Sequence, residues 1–143
     1  MDWACDGLGR PSLAGIHDAR LARLTLDAEA GTLELRLKGV GGERLRLVYR
    51  GVEMLGGDGL WEAAIVNTLF VWRVSAVPPA FLDDPSAGWR HLLTGRAMEP
   101  EGRVEERSRL SAKLAHGALS TMVCSYGGDL SVLASSLHVD EWQ

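Results

Sequence analysis

The chain has 143 residues, of which 46% are apolar and 24% charged, and its formal net charge is -4 from 19 acidic and 15 basic side chains. That length suits a single domain over residues 1–143 with one self-sufficient core, and the mixed charge gives no global attraction to a phosphate backbone. No run approaches the roughly 20 apolar residues of a spanning helix, so no membrane partner is expected.

The N-terminus, "MDWACDGLGRPSLAG", lacks the basic start and apolar block of a secretory signal. Cys5 and Cys124 are too few for a disulfide framework. Both are expected to be reduced and the protein cytoplasmic, with Cys124 buried in a strand. Residues 1–15 carry Gly and Pro without period and predict a loosely ordered arm.

From Ala22 the pattern turns β. Ala22, Leu24 and Leu26 alternate with Arg23, Thr25 and Asp27. After the turn "AEAG", Leu33, Leu35 and Leu37 alternate with Glu34, Arg36 and Lys38, and after "GVGG", Leu45, Leu47 and Tyr49 take the inward positions. Period-two alternation broken by Gly-bearing turns predicts an antiparallel meander with one wet face. "GVEMLGGDG" reads as a glycine-rich break. "LWEAAIVNTLFVWRVSAV" reads as a long, bent strand buried on both faces over part of its length, stopped at Pro78-Pro79.

One short helix is expected near 84–94, capped by Asp83 or Asp84, with Pro85 in its first turn, Gly95 at its exit and an apolar stripe of Trp89, Leu92 and Leu93. "RAMEPEGRVEERSR" reads as an exposed charged connection. Residues 104–118 fit a helix through Leu110, Leu114 and Ala118, or a strand through Leu110, Ala112 and Leu114. The strand is preferred because the next residues are strongly β in character. The C-terminal stretch predicts a hairpin turning at Gly127-Gly128, with Met122, Cys124 and Tyr126 on one face. The fold class is therefore mainly β, a β-sandwich or strongly twisted antiparallel sheet with one short helix.

No pattern assembles a catalytic set. His17-Asp18 has the residue types of a metal pair, but neighbours on a strand point to opposite faces and His91, His116 and His138 are scattered singly. The pair reads instead as a strand entrance, with Asp18 bonding backbone amides and His17 anchoring the turn. The weak alternative is a metal site at His17 and Asp18. "SYGGD" lacks the lysine and helix of a phosphate loop and reads as a turn, its flanks Tyr126 and Asp129 free to decorate a binding edge. Cys124 sits in an apolar alternation that raises a thiol pKa. Ser120, Ser125, Ser131, Ser135 and Ser136 have no nucleophile elbow around them and read as a strand's solvent face.

Arg44, Arg46 and Arg50 share a strand face. No aromatic is expected beside them, so a single-stranded nucleic acid would lack a stacking platform and no nucleic-acid partner is expected. Among the five tryptophans, core packing accounts for Trp72 and Trp61, Trp3 lies near the N-terminus, and Trp89 and Trp142 divide between local packing and a partner surface.

"HDARLARLTLDAEAGTLELRLKG" followed by "LRLVYRGVEML" resembles the start of several small bacterial domains of unknown function. In these a His-Asp-Ala segment leads into a β-meander ending in an aromatic-x-Gly-Val step, here Tyr49-Arg50-Gly51-Val52. Some are grouped with immunity proteins of contact-dependent toxin systems. The resemblance covers about the first 55 residues, implies a non-enzymatic bacterial protein, and transfers no site residue.

The leading expectation is a non-catalytic protein-binding domain, with an immunity-like role as one form of it. It would need no cofactor, and its partner would be another protein or a second copy in a homodimer. Trp89, Trp142, Tyr126 and Asp129 are its candidate binding residues. The alternative is a small-molecule-binding or hydrolytic domain with a pocket between sheet and helix, using His17, Asp18 or Tyr126.

Overall fold

The structure, a computed structural model, describes residues 4–59, 64–94 and 99–143. Trp3, Trp61 and Gly95 lie outside them. The fold is mainly β and antiparallel throughout. Its strands are β1 (Arg20–Asp27), β2 (Thr32–Lys38), β3 (Arg44–Gly57), β4 (Ile65–Arg73), β5 (Ala118–Tyr126) and β6 (Leu130–Glu141). They close into a barrel in the order β1-β2-β3-β6-β5-β4, two meanders joined side by side. The expected twisted sheet thus curls onto itself, which removes its edges.

The alternation in β2 and β3 dictates what fills the barrel. Leu33, Leu35, Leu37 and Leu47 are 0% exposed, and they meet Tyr49, Leu69, Val71, Met122, Val132 and Ala134 in one interior cluster. Burying each such leucine is worth roughly 1.5–3 kcal/mol. In β1 the expected set shifts. An extra residue at Ala22 breaks the pairing between Leu21 and Arg23, so Leu21 packs inward and Ala22 is exposed, while Leu24 stays inward and Leu26, opposite Leu33, keeps the inward side but is exposed near the strand end. A bulge breaks the alternation between the residues on its two sides, and a simple period cannot show it.

The outer faces of β4, β5 and β6 carry a second apolar layer. Trp72, Leu119 and Leu133, with Val74 just after β4, pack beneath α1 (Gly88–Leu92), which contributes Trp89 and Leu92, and beneath Leu93 just after it. Trp72 stacks on Phe70 at 5.3 Å and touches Phe81 at 4.9 Å. The helix begins later than the caps suggested. Asp84 Oδ1 accepts from the Ser86 amide at 2.8 Å and its hydroxyl at 2.6 Å, closing a turn upstream, and Ala87 caps α1 without a side-chain bond.

The strand preferred for 104–118 is overturned. Residues Pro100–Lys113 form a helix, α2, with Pro100 in its first turn and Leu110 fully buried. Good helix formers and the Glu106–Arg109 pair one turn apart outweigh the β character of the neighbouring C-terminal segment. The glycine-rich break expected from Gly51 is also corrected, because β3 runs through it to Gly57. It does so with a register shift between Val52 and Met54 and a positive φ of 61° at Gly51.

The opening segment, expected to be a loose arm, is tied along β4. The Val71 amide donates to Gly9 O at 2.8 Å, Trp72 Nε1 donates to Leu8 O at 2.9 Å, and Asp6 closes a turn by accepting from the Leu8 and Arg10 amides. This covers the stretch of β4 that β1 does not reach, since those two strands share the single register pair Arg20↔Ile65.

The C-terminal hairpin turns where expected, with Gly127 at φ 84°. Met122 and Cys124 face the interior cluster, but Tyr126 lies beyond an irregularity in the β4–β5 pairing and is 57% exposed. A Cβ on Gly128 would collide with the Asp58 carbonyl. Gly128→Ala should therefore lower the melting temperature sharply, while Ser125→Ala on the exposed strand end should leave it nearly unchanged. Thermal unfolding followed by circular dichroism checks both.

Inside the barrel the Tyr49 hydroxyl pairs with Ser120 Oγ at 2.9 Å, and burial pushes its pKa up to about 12. Because the folded value is raised, this contribution to stability is whole below about pH 10 and is lost as pH rises towards 12. Wild type should lose on the order of 2 kcal/mol across that window beyond what Tyr49→Phe loses, as read from urea unfolding at each pH.

Candidate functional site

His17 and Asp18 sit at the closing seam of the barrel. The Asp18 amide donates to Val66 O at 2.8 Å, and His17 Nδ1 lies 2.8 Å from the Asn67 carbonyl, to which it donates. The turn anchor read from the sequence is there, with one correction. Among the described residues the Asp18 carboxylate accepts no backbone amide. It faces His17 Nε2 at 3.6 Å, and Asp18 instead takes a positive φ of 60°, a conformation that aspartate tolerates better than most residues. Both side chains are largely exposed, and no group of three or more His, Cys, Asp or Glu converges among the described residues.

Asp129 also serves the fold. Its Oδ1 accepts from the Cys124 amide at 2.8 Å, and its carbonyl accepts from the Asp58 amide at 3.2 Å, tying the hairpin turn to the end of β3. Burial, reinforced by the Asp129 charge, pushes the Cys124 thiol up to about 11, the inert direction for a nucleophile. Two of the serines expected on a solvent face are buried. Ser120 pairs with Tyr49, and Ser131 Oγ lies 2.6 Å from His91 Nδ1 and 2.7 Å from Thr121 Oγ1. The second pairing has the elements of a base and a nucleophile, but Ser131 is 0% exposed and Thr121 accepts the Gly88 amide at 2.9 Å. The network pins α1 to β5 and β6.

What the structure does assemble is a basic face on the bare side of the barrel. Outward residues of β1, β2 and β3 stand directly opposite one another, so Arg20, Lys38 and Arg44 form one cross-strand row and Arg23, Arg36 and Arg46 the next. Rows two residues apart along a strand are separated by roughly 6.8 Å, and neighbours within a row by about 5 Å. Like charges placed so are mutually destabilising. Two carboxylates are set among them. Asp140 receives a bidentate fork from Arg46 at 2.7 and 2.5 Å, and Glu34 accepts from Arg36 Nε at 2.5 Å. The Arg46 hydrogen bonds hold the Asp140 carboxyl below its usual range, and Asp140 in turn raises Arg46. Arg20, Arg23, Lys38 and Arg44 remain exposed.

Trp142 completes this face. Its amide donates to Arg44 O at 3.1 Å and its Nε1 to Leu37 O at 3.2 Å, which lays the indole across β3 towards β2. The cationic groups of Arg44, Arg36 and Lys38 lie 5.0, 5.5 and 5.7 Å from its ring centroid. This overturns the expectation that no aromatic shares the arginine face. The sequence placed Arg44, Arg46 and Arg50 together but could not align them with β1 and β2, because that depends on register. Trp89 is 2% exposed and belongs to the helix-side layer, away from this face; it lines a cleft between α1 and α2 that His17, Asp18 and Tyr126 do not line. The four candidate binding residues therefore do not form one site.

No protein family, curated protein or solved structure matches the chain.

The seam geometry makes a direct expectation. Asp18→Ala should cost about 1 kcal/mol because alanine resists the positive φ, whereas Asp18→Gly should be neutral or better. His17→Ala should lose about 1 kcal/mol with its bond to the Asn67 carbonyl. Thermal melts of all three, with chelator and with added Zn²⁺ or Mn²⁺, should show no metal response; a wild-type midpoint rising with metal would restore the metal pair.

Proposed function

We propose that this chain is a non-catalytic binding domain whose basic face engages an acidic surface on a protein partner. The observation that carries the reading is the pair of adjacent rows of like charge, Arg20-Lys38-Arg44 and Arg23-Arg36-Arg46, on a chain of net charge -4. Such an arrangement works against folding and is offset when carboxylates from a partner dock between the cations. Trp142 supplies the aromatic anchor that, with arginine, dominates many protein interfaces.

An acidic protein suits this face better than a nucleic acid. Glu34 and Asp140 lie within the cation field, where they would repel a continuous phosphate chain but leave discrete positions for carboxylates. The outer wall of a closed barrel is convex, and one indole already bonded to Leu37 is a poor stacking platform. An immunity-type role is one form of the reading, and the toxin would then need an acidic contact surface. A two-fold homodimer across this face would set like charges against each other, so self-association would require another surface.

Lys38→Glu separates function from stability, since it places a carboxylate directly between Arg20 and Arg44. It should raise the melting temperature at low salt, by the few tenths to about 1 kcal/mol that each cross-strand pair is worth, and weaken binding at least tenfold. The probe is poly-L-glutamate, titrated at several salt concentrations against wild type and Lys38→Glu, with a single-stranded oligothymidylate in parallel. Tighter binding of the oligonucleotide with quenching that Trp142→Phe abolishes would replace the protein reading with a nucleic-acid one. Binding of neither polymer would overturn both.

A further inference from the structure

A cleft lies on the opposite, helix-covered side of the barrel. The cleft between α1 and α2 has a volume of about 210 Å³, below the roughly 300–1,000 Å³ of a drug-sized pocket. Its floor is apolar, formed by the buried Trp89 and Leu93 with Val104 from α2, which is 52% exposed. Arg90, Arg103 and Arg107 stand around it. The carboxylate among its lining residues is Asp83, whose side chain is 93% exposed and 3.9 Å from Arg107.

The three guanidinium groups are not equivalent. Arg90 donates to Asp83 O at 3.3 Å and Arg107 to Leu82 O at 3.4 Å, so both are used to hold the loop that forms one wall. Arg103 makes no ion pair or side-chain hydrogen bond among the described residues, yet its side chain is half-buried at the cleft. An arginine presents a fork of donors matched to a carboxylate, and over an apolar floor such a bond is little screened by water. Aliphatic volume below and one fork above, unengaged among the described residues, suit a ligand with an apolar body and a single anionic head.

We propose that this cleft binds a small amphiphilic carboxylate, with the aliphatic chain against Trp89, Leu93 and Val104 and the carboxylate on Arg103. The site is independent of the basic face, and either can stand without the other.

The test is calorimetric titration of octanoate into the full chain, with octan-1-ol supplying the same tail without charge and acetate the head without the tail. Octanoate should bind, and the alcohol and acetate should each bind at least tenfold more weakly. Arg103→Gln should weaken octanoate about tenfold, as expected for the loss of one charge-assisted hydrogen bond, with its circular dichroism and melting point unchanged. Lys38→Glu on the other face should bind octanoate as wild type does. Octanoate that fails to bind, octanol that binds equally well, or an Arg103→Gln variant with wild-type affinity would each overturn the proposal. An equal loss in Lys38→Glu would overturn it too, by assigning the effect to the overall charge.

Discussion

Closure of the barrel at the β1–β4 seam is the constraint on which the rest depends. These strands share one register pair, Arg20↔Ile65. The seam is completed by bonds from the turn before β1. The Asp18 amide and the His17 ring hold carbonyls of β4, the Val66 amide donates to Ala19 O, and the Leu21 amide donates to Ala64 O. An unclosed sheet of this kind would leave β4 with unpaired backbone groups and its interior leucines partly wet, and each such donor or acceptor costs free energy when buried without a partner. The His-Asp pair that resembles chemistry is thus a clasp.

Closure also divides the outer wall into two kinds of surface. Over β4, β5 and the first part of β6 a layer of outward apolar residues lies beneath α1; the polar Thr121 and Ser131 within it are satisfied by Gly88 and His91. Over β1, β2 and the first half of β3 the outward residues are largely charged, and the helix-side layer reaches β3 only at its far end, through Met54. One barrel therefore carries a packed side that stabilises it and a bare side whose charges work against stability. The proposed binding of an acidic partner belongs to the bare side and the proposed carboxylate cleft to the packed one.

The two carboxylates on the bare side have a part beyond neutralising charge. A bidentate Arg46–Asp140 fork and the Arg36–Glu34 bond fix two guanidinium groups in place. At an exposed position such pairs add little to stability. Their effect is on order, since a cation already held loses less freedom on meeting a partner.

Much of this was legible in the sequence because it is local. Alternation of Leu33, Leu35 and Leu37, and of Leu45, Leu47 and Tyr49, determines strand and inward face together, as side chains on a strand change sides at every residue. Gly127-Gly128 marks its turn for the same local reason, and the apolar stripe of Trp89, Leu92 and Leu93 marks α1. Only the tertiary structure decided the rest. Residues 100–113 fit two periods, and packing of Leu110 against the barrel wall chose the helix. The rows of cations exist only once bulges and turns set the register of three strands, because residues far apart in the chain become neighbours through pairing that no single segment encodes. Trp142 reached the basic face in the same way. It is carried there by β6 lying beside β3, a contact between the end of the chain and its first third that closure of the barrel imposes.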